Sequence, residues 1–144
     1  MNKILLIVVV SLFVISCDSD DNRLDNPFLN PGSFNFEVNL DLPQFNSLKF
    51  PGNSEVITTQ GAGIKGLVVS NLGNSQYVAF ELSDPNIPPS NCSALSINGG
   101  NAESNCDNDN VYSIATGQQI KGEGGYPLLR YQVAVQGNLL FISN

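Results

Sequence analysis

The stretch QYVAFELSDPNIPPSNCSALSINGGNAESNCDNDNVYSIATG, residues 76–117, organises this chain. It opens with an apolar and aromatic segment, Gln76 to Leu82, which predicts a β-strand. Two polar loops follow, and each contains one cysteine, Cys92 and Cys106. The residues before and after this stretch predict further strands, so we expect the two loops to project from a β-framework.

The composition favours one small all-β domain. The chain has 144 residues, enough for one hydrophobic core, and its 13 Gly and 8 Pro separate short apolar runs. We therefore predict a small antiparallel β-sandwich or barrel. The net charge is -7, and the six basic residues are scattered, so no cluster could neutralise phosphates. Nucleic acid is not an expected partner.

Residues 1–16 predict a bacterial lipoprotein signal peptide. Lys3 precedes the apolar run Ile4 to Ile15, which is about a dozen residues long, against roughly 20 for a spanning helix. The four residues from Val14 to Cys17 resemble the lipobox, which implies cleavage before Cys17 and attachment of lipid to it. The predicted membrane contact is this lipid. The alternative is an ordinary secreted or membrane-anchored start in which Cys17 is incidental.

Residues 17–32 predict an acidic, Asn-rich tether to a domain at residues 33–144. The acidic run Asp18 to Asp21 resembles a signal for the outer face of the outer membrane, or is simply a solvated start to the tether. We expect a cell-envelope location, as an outer-membrane lipoprotein that faces the periplasm or the surface.

The domain begins with nearly strict alternation over Ser33 to Leu42, which predicts a strand ended by Pro43. Its apolar face comprises Phe34, Phe36, Val38, Leu40 and Leu42. Leu48 to Phe50 and Glu55 to Thr58 predict two shorter strands.

Two hairpins complete the predicted framework. Ile64 to Ser70 pairs with the strand that starts at Gln76, through a turn over residues 71–75. Near the carboxyl terminus, two alternating runs flank Gly137-Asn138, which predicts a hairpin with a type II′ turn. No segment after the signal peptide has a helical apolar stripe.

The residues from Gly61 to Gly66 match the spelling G-x-G-x-x-G of a dinucleotide-binding loop. That loop requires a helix after it, because the helix amides meet the pyrophosphate. Here the next residues, Leu67 to Val69, predict a strand. We therefore predict a turn or bulge that leads into a strand.

The order of motifs between residues 64 and 143 resembles the Rieske [2Fe-2S] domain. The motifs are Tyr77 to Phe80, Asp84-Pro85-Asn86, Asn105-Cys106-Asp107, Tyr112 to Gly117, and Tyr126-Pro127-Leu128. In that family, each of two loops supplies one cysteine and one histidine to the cluster. The resemblance implies a Rieske-like fold for this domain.

The cluster ligands are missing from this chain, which has no histidine. Asp84 and Asn86 stand where the first loop should supply its ligands. The second loop keeps Cys106, with Asn108 or Asp109 in place of histidine. A neutral amide is a poor iron ligand, so we expect no [2Fe-2S] cluster and no other cofactor. Carboxylate ligation by residues such as Asp84 and Asp109 is the alternative.

Cys92 and Cys106 form an even pair in an oxidising compartment, which predicts a disulfide. A reversible redox pair and metal thiolates are the alternatives.

The run Asp107 to Asn110 consists of side chains that carry oxygen, and calcium loops place such ligands at alternate positions. An EF-hand also requires Gly at position six and a carboxylate at position twelve, which are Tyr112 and Gln118 here. The sequence excludes an EF-hand and leaves a looser calcium site as an alternative to a solvated loop.

No catalytic residues are predicted, because the chain has no histidine. Both the Ser-His-Asp and Cys-His arrangements and ordinary zinc sites require histidine. We expect a lipid-anchored envelope protein whose degenerate, cluster-free Rieske-like domain is a structural or interaction module and not an enzyme. Ile87, Pro88 and Pro89 could contact an envelope protein partner. The alternative is an electron-transfer protein that retains an iron-sulfur or other metal centre.

Overall fold

The computed structural model describes residues 26–144. The predicted signal peptide, Cys17 and residues 17–25 of the predicted tether lie outside the described residues. The described chain contains one 3₁₀ helix, Pro43–Lys49, and ten strands. The strands are β1 (Asn35–Asn39), β2 (Ser54–Ile57), β3 (Leu67–Gly73), β4 (Gln76–Glu81), β5 (Ser96–Asn98), β6 (Asn101–Glu103), β7 (Val111–Ser113), β8 (Gln119–Lys121), β9 (Arg130–Gln136) and β10 (Leu139–Ser143).

The strands form two sheets, and all neighbouring strands are antiparallel. The larger sheet has the order β1-β10-β9-β4-β3-β2, and the smaller has the order β5-β6-β7-β8. This architecture confirms the predicted all-β, antiparallel class. The whole small sheet lies in the chain between β4 and β9, so both cysteine loops belong to this insertion.

Two hydrophobic cores share the hairpin of β3 and β4. Val69 and Ala79 belong to the first core, which packs against one face of the large sheet. Val68, Val78 and Phe80 point to the other face of the hairpin and belong to the second core, between the hairpin and the small sheet. Because both faces of this hairpin are covered, its strands read as near-continuous apolar runs.

Both predicted hairpins are confirmed. β3 and β4 are joined through Asn74 and Ser75, whose φ angles of 50° and 59° match a type I′ turn. β9 and β10 are joined through Gly137, with φ of 59°, and Asn138, whose φ is not positive. That combination agrees with the predicted type II′ turn.

Two strand predictions were wrong near Pro43. The first strand ends at Asn39, and Leu42 is 42% exposed although the alternation placed it in the core. Leu48 to Phe50 is not a strand, because the chain forms the 3₁₀ helix that starts at Pro43. Proline suits the first turn of a helix, where its missing N–H costs nothing, so it began a helix where we expected it only to end a strand.

The described part of the predicted tether packs against the domain. Asn26 Nδ2 donates to the carbonyl oxygen of Pro85 at 2.8 Å, and Leu29 is only 5% exposed. The chain therefore meets the domain beside the first cysteine loop. Within residues 26–144, no helix has the length and apolar character needed to cross a membrane.

Candidate functional site

Asp84 lies at the centre of the region where the two cysteine loops meet. It follows β4, and its side chain is fully buried. Its backbone N–H donates to the carbonyl oxygen of Ser93 at 2.8 Å, and Ser83 forms an isolated bridge with Ala94. The first loop is therefore closed at its base, which fixes the direction of the Asp84 carboxylate.

Side chains of the second loop surround this carboxylate. Tyr112 Oη donates to Asp84 Oδ1 at 2.6 Å, and the Nδ2 groups of Asn108 and Asn110 donate to Oδ2 at 2.9 and 3.1 Å. The backbone N–H of Asn86 donates to Oδ1 at 3.0 Å. Asp84, Asn86, Asn108, Asn110 and Tyr112 are called the Asp84 network below.

Backbone groups determine which end of each amide faces the carboxylate. Asn108 Oδ1 accepts from the N–H of Asn110 at 3.2 Å, and Asn110 Oδ1 accepts from the N–H of Glu123 at 3.1 Å. A backbone N–H can only donate, so each amide oxygen must face it and each NH₂ group must face Asp84. The network is thus built to receive an anion, and the carboxylate of Asp84 is that anion.

Asn86 stands where the resemblance implies an imidazole, and it joins the loop to two tyrosines. Its Nδ2 donates to Tyr112 Oη at 2.9 Å and to the carbonyl oxygen of Tyr126 at 3.0 Å. Its Oδ1 accepts from the N–H of Tyr126 at 2.9 Å. Both ends of the amide are therefore occupied within the protein.

The charge in the network sits on Asp84. Burial acts to raise the pKa of this carboxyl, but hydrogen bonds from Tyr112, Asn86, Asn108 and Asn110 outweigh burial and hold the pKa below its usual value. Burial, together with the neighbouring Asp84 carboxylate, raises the pKa of Tyr112. At neutral pH Asp84 is therefore a carboxylate and Tyr112 is a neutral phenol.

The predicted disulfide between Cys92 and Cys106 is confirmed. The two sulfurs are 2.01 Å apart, and the Cα atoms are 5.1 Å apart. The bond joins the first loop to the second, beside the Asp84 network. In this state Cys106 offers no thiolate to a metal.

The remaining acidic residues of the second loop do not join the network. Asp109 is exposed and lies 3.3 Å from Lys121 Nζ. Asp107 is also exposed. In the described part of the chain, no three His, Cys, Asp or Glu side chains are grouped as a metal site. The amide oxygens of Asn108 and Asn110, which the calcium alternative requires, already accept backbone hydrogen bonds.

The sequence motifs pointed to Asp84, Asn86 and Asn108, and the structure brings these three residues together. The motifs did not predict the part that Asn110 and Tyr112 play. A signal was present for Asn110 and Tyr112, because they lie two residues apart where the chain enters β7. Residues at this spacing face the same side of an extended segment.

A second buried carboxyl group, Glu81, lies three residues earlier. It accepts hydrogen bonds from the N–H groups of Ile64 and Lys65 at 2.7 and 2.8 Å, and from Tyr131 Oη at 2.6 Å. Ile64 and Lys65 belong to the glycine-rich loop, which leads into β3 and not into a helix. The prediction of a turn before a strand is confirmed, and the loop amides bind a side chain of their own chain.

An open groove of about 760 Å³ borders the Asp84 network on its solvent side. Ile87 contributes an apolar wall, and the exposed side chains around it are mostly acidic. Its lining residues are Asn86, Ile87, Asp107, Asn108, Asp109, Asn110, Lys121, Gly122, Glu123 and Gly124.

No family model and no curated protein matches this chain. Similar solved structures include a chain from the complex of reduced oxygenase and oxidized ferredoxin in carbazole 1,9a-dioxygenase, with 19% identity, TM-score 0.47, and coverage of 79% of this chain and 94% of that chain. The ferredoxin of carbazole 1,9a-dioxygenase from Nocardioides aromaticivorans IC177 has 14% identity and TM-score 0.42, over 67% of this chain and 90% of its own. The Sphingomonas yanoikuyae B1 ferredoxin has 15% identity and TM-score 0.44, over 66% and 88%.

The side chains in the region between the two cysteine loops do not fit a [2Fe-2S] cluster. Such a cluster of the Rieske type takes two thiolates and two imidazoles. Here the sulfur of Cys106 is oxidised, and the amide NH₂ groups of Asn108 and Asn110 point towards the centre. Groups that donate hydrogen bonds favour an anion and repel a cation.

Proposed function

We propose that this chain is a lipid-anchored protein of the cell envelope, and that its Rieske-like domain is a cluster-free structural or interaction module. The observation that carries the proposal is the Asp84 network. At the place where the resemblance implies a cluster, a buried carboxylate is saturated by donors from the opposite loop. The module is held together by the chain's own hydrogen bonds and one disulfide.

Iron would have to displace these hydrogen bonds in order to bind between the two cysteine loops. Moving Asp84 onto a metal would leave the amides of the buried Asn110 and the half-buried Asn108 without this acceptor, and an unpaired buried group costs about 1–3 kcal/mol. Ligation by Cys106 would also require reduction of its disulfide. The network therefore favours the metal-free form.

The loop end of the domain is the proposed contact surface. The chain enters the domain at Asn26, which is bonded to Pro85, and Cys17 lies nine residues earlier. Nine residues reach at most about 30 Å, so a lipid on Cys17 would hold the loops within that distance of the membrane. Pro88 and Pro89 are exposed there, beside the half-buried Ile87. The partner would be another envelope protein close to the same membrane.

Native mass spectrometry of the domain that starts at Asp18, purified without reductant, tests the cluster-free form. The expected mass is that of the chain minus two hydrogens, and reduction should restore the two hydrogens. Added mass from iron and sulfide, with a visible absorption band, would overturn the proposal and favour electron transfer.

The anchor is tested with Cys17→Ala in cells. We expect the wild-type protein in the membrane fraction, labelled by a fatty acid analogue, and the variant in the soluble fraction without label. An unlabelled wild-type protein would contradict lipidation while leaving the cluster-free domain unaffected.

The contact surface is tested with Ile87→Asp, with Val135→Asp on β9 as the control at a distant exposed position. We expect a folded variant that loses cross-links to its envelope partner, while the control keeps them. If Ile87→Asp unfolds the domain, Ile87 has a packing role and the proposed contact is wrong.

A further inference from the structure

The turn between β5 and β6 contains an asparagine that is followed by glycine. Asn98 is exposed at the end of β5, and its cross-strand partner is Asn101, so Gly99 and Gly100 form a two-residue turn. Asn98-Gly99 is the only Asn-Gly pair in the chain. β5 is three residues long, lies at the edge of the small sheet and pairs with β6 alone. Such short edge segments open locally at a low cost in free energy, so this turn can change conformation while the rest of the domain stays folded.

An asparagine followed by glycine can lose its side-chain amide without an enzyme. The backbone nitrogen of the glycine forms a bond to the side-chain carbonyl carbon of the asparagine. The proton of that nitrogen passes through solvent to the departing NH₂ group, ammonia leaves, and a cyclic imide remains. Water then opens either carbonyl of the ring, which gives aspartate or isoaspartate. The net reaction consumes water, releases ammonia and needs no oxidant. Glycine favours it because no side-chain carbon hinders the attacking nitrogen.

The Gly99 nitrogen is accessible for this reaction. Among residues 26–144, no hydrogen bond joins the Gly99 N–H to another backbone group, so none has to break when the nitrogen turns towards Asn98. A side-chain carbon added at Gly99 would meet no atom within 4 Å, so the space beside the turn is open. Because Asn98 is exposed, water also reaches its side chain.

Either product would disturb the contacts of this turn. Asn98 Nδ2 donates to Glu103 Oε1 at 3.1 Å, and both products place a second carboxylate beside Glu103 in place of that donor. Like charges on neighbouring strands are destabilising. Isoaspartate also adds a carbon to the main chain, which breaks the register between β5 and β6. The carbonyl oxygen of Gly100 accepts from the N–H of Ile114 at 3.0 Å, so the change extends to a residue of the second core.

We propose that Asn98 is a deamidation site of the folded protein, and that Gly99 supplies the attacking nitrogen. The modification adds one negative charge to a chain whose net charge is -7, and it loosens the edge of the small sheet. It accumulates with the age of the molecule, because water is the only co-reactant. The site is separate from the loop end on which the proposed function rests.

The disulfide-bonded protein, incubated at mildly alkaline pH and analysed by peptide mapping, tests the proposal. We expect the peptide that contains Asn98 to gain the mass of an NH₂ group replaced by OH, and an isoaspartate-specific methyltransferase to label it. Peptides that contain Asn74 and Asn138, the asparagines of the other two hairpin turns, are internal controls. They should stay unmodified over the same period, because serine and leucine follow them.

Gly99→Ala should abolish the mass gain at Asn98, because its added carbon hinders the attacking nitrogen. Gly100→Ala is the matched control, since a carbon there also meets no atom within 4 Å and the Asn98-Gly99 pair is kept. It should be modified like the wild type. In the modified wild type, hydrogen exchange of the Ile114 amide should become faster.

A mass gain at Asn98 in urea but not in the folded protein would show that the turn protects Asn98, and would overturn the proposal. Equal rates in Gly99→Ala and the wild type would overturn it too, because the Gly99 nitrogen would then have no part in the reaction. Neither result affects the test for iron and sulfide in the domain.

Discussion

Tyr112 Oη lies 2.6 Å from Asp84 Oδ1, and this hydrogen bond joins the second cysteine loop to the first through the protein interior. Three residues before Asp84, Glu81 is bonded to Tyr131 Oη at the same distance of 2.6 Å. The end of β4 and the residues just after it thus carry two buried carboxyl groups, and each accepts a hydrogen bond from a tyrosine on another strand. These pairs link the small sheet and β9 to the centre of the domain.

Asp84→Asn should destabilise the domain by about 2–4 kcal/mol, because an amide NH₂ would face the NH₂ groups of Asn108 and Asn110. Tyr112→Phe should cost less, about 1–2 kcal/mol, since it removes the hydrogen bond to Asp84 and the one from Asn86 Nδ2 but keeps the ring and every charge. Urea denaturation with the disulfide intact measures both. Equal stability of Asp84→Asn and the wild type would show that the network contributes nothing to folding.

Acid should remove the contribution of Asp84. Its pKa in the folded state lies below the unfolded value of about 3.9, so its stabilisation is complete above that value and is lost as the pH falls through the folded pKa. The stability difference between the wild type and Asp84→Asn should therefore be constant from neutral pH to about pH 5, and shrink below about pH 4. Urea midpoints of both proteins across this range measure it. A difference that grows on acidification would contradict the lowered pKa.

The double substitution Cys92→Ser with Cys106→Ser should lower the free energy of unfolding by about 3 kcal/mol, because the bond closes a loop with a sequence separation of 14. Reductant should lower the urea midpoint of the wild type to about that of the double variant. It should leave the midpoint of the variant unchanged. Thiol labelling of the folded wild type should find neither cysteine. Labelling of both without reductant would be inconsistent with the bond.

Glu81→Gln should cost about 2–4 kcal/mol, because an NH₂ group replaces one of the two carboxylate oxygens and the N–H group of either Ile64 or Lys65 loses its acceptor. Hydrogen exchange of the amide that loses its acceptor should become faster. Glu123→Gln, at an exposed position, is the control and should leave both stability and exchange unchanged. Unaltered exchange in Glu81→Gln would mean that the carboxyl group does not hold the glycine-rich loop.

Gly117→Ala should destabilise the domain both by backbone strain and by a steric clash, whereas Gly125→Ala should add backbone strain alone. Both glycines have positive φ, 78° and 85°, so each alanine should cost about 1–2 kcal/mol. At Gly117 the added carbon would also lie 2.6 Å from the ring of Phe80, whereas at Gly125 it would meet nothing within 4 Å. We expect Gly117→Ala to cost about 1–3 kcal/mol more, measured by urea denaturation. Equal costs would show that Phe80 moves aside freely.

The features that the sequence predicted correctly are local ones. The alternation in β1, the glycine and asparagine turns of the two hairpins, and the cysteine pair each depend on residues close in sequence or on composition. The 3₁₀ helix at Pro43 was missed because proline is compatible both with the end of a strand and with the start of a helix.

The sequence by itself determined the all-β class, the position of the loops between two hairpins, and the absence of histidine ligands. Only the tertiary structure decided which groups meet between the two cysteine loops. The Asp84 network joins residues up to 28 positions apart, and Glu81 meets Tyr131 across 50 positions. The physical reason is that a buried carboxylate requires several donors at once. Which donors reach it depends on how the two sheets pack, and this is not encoded in any short segment.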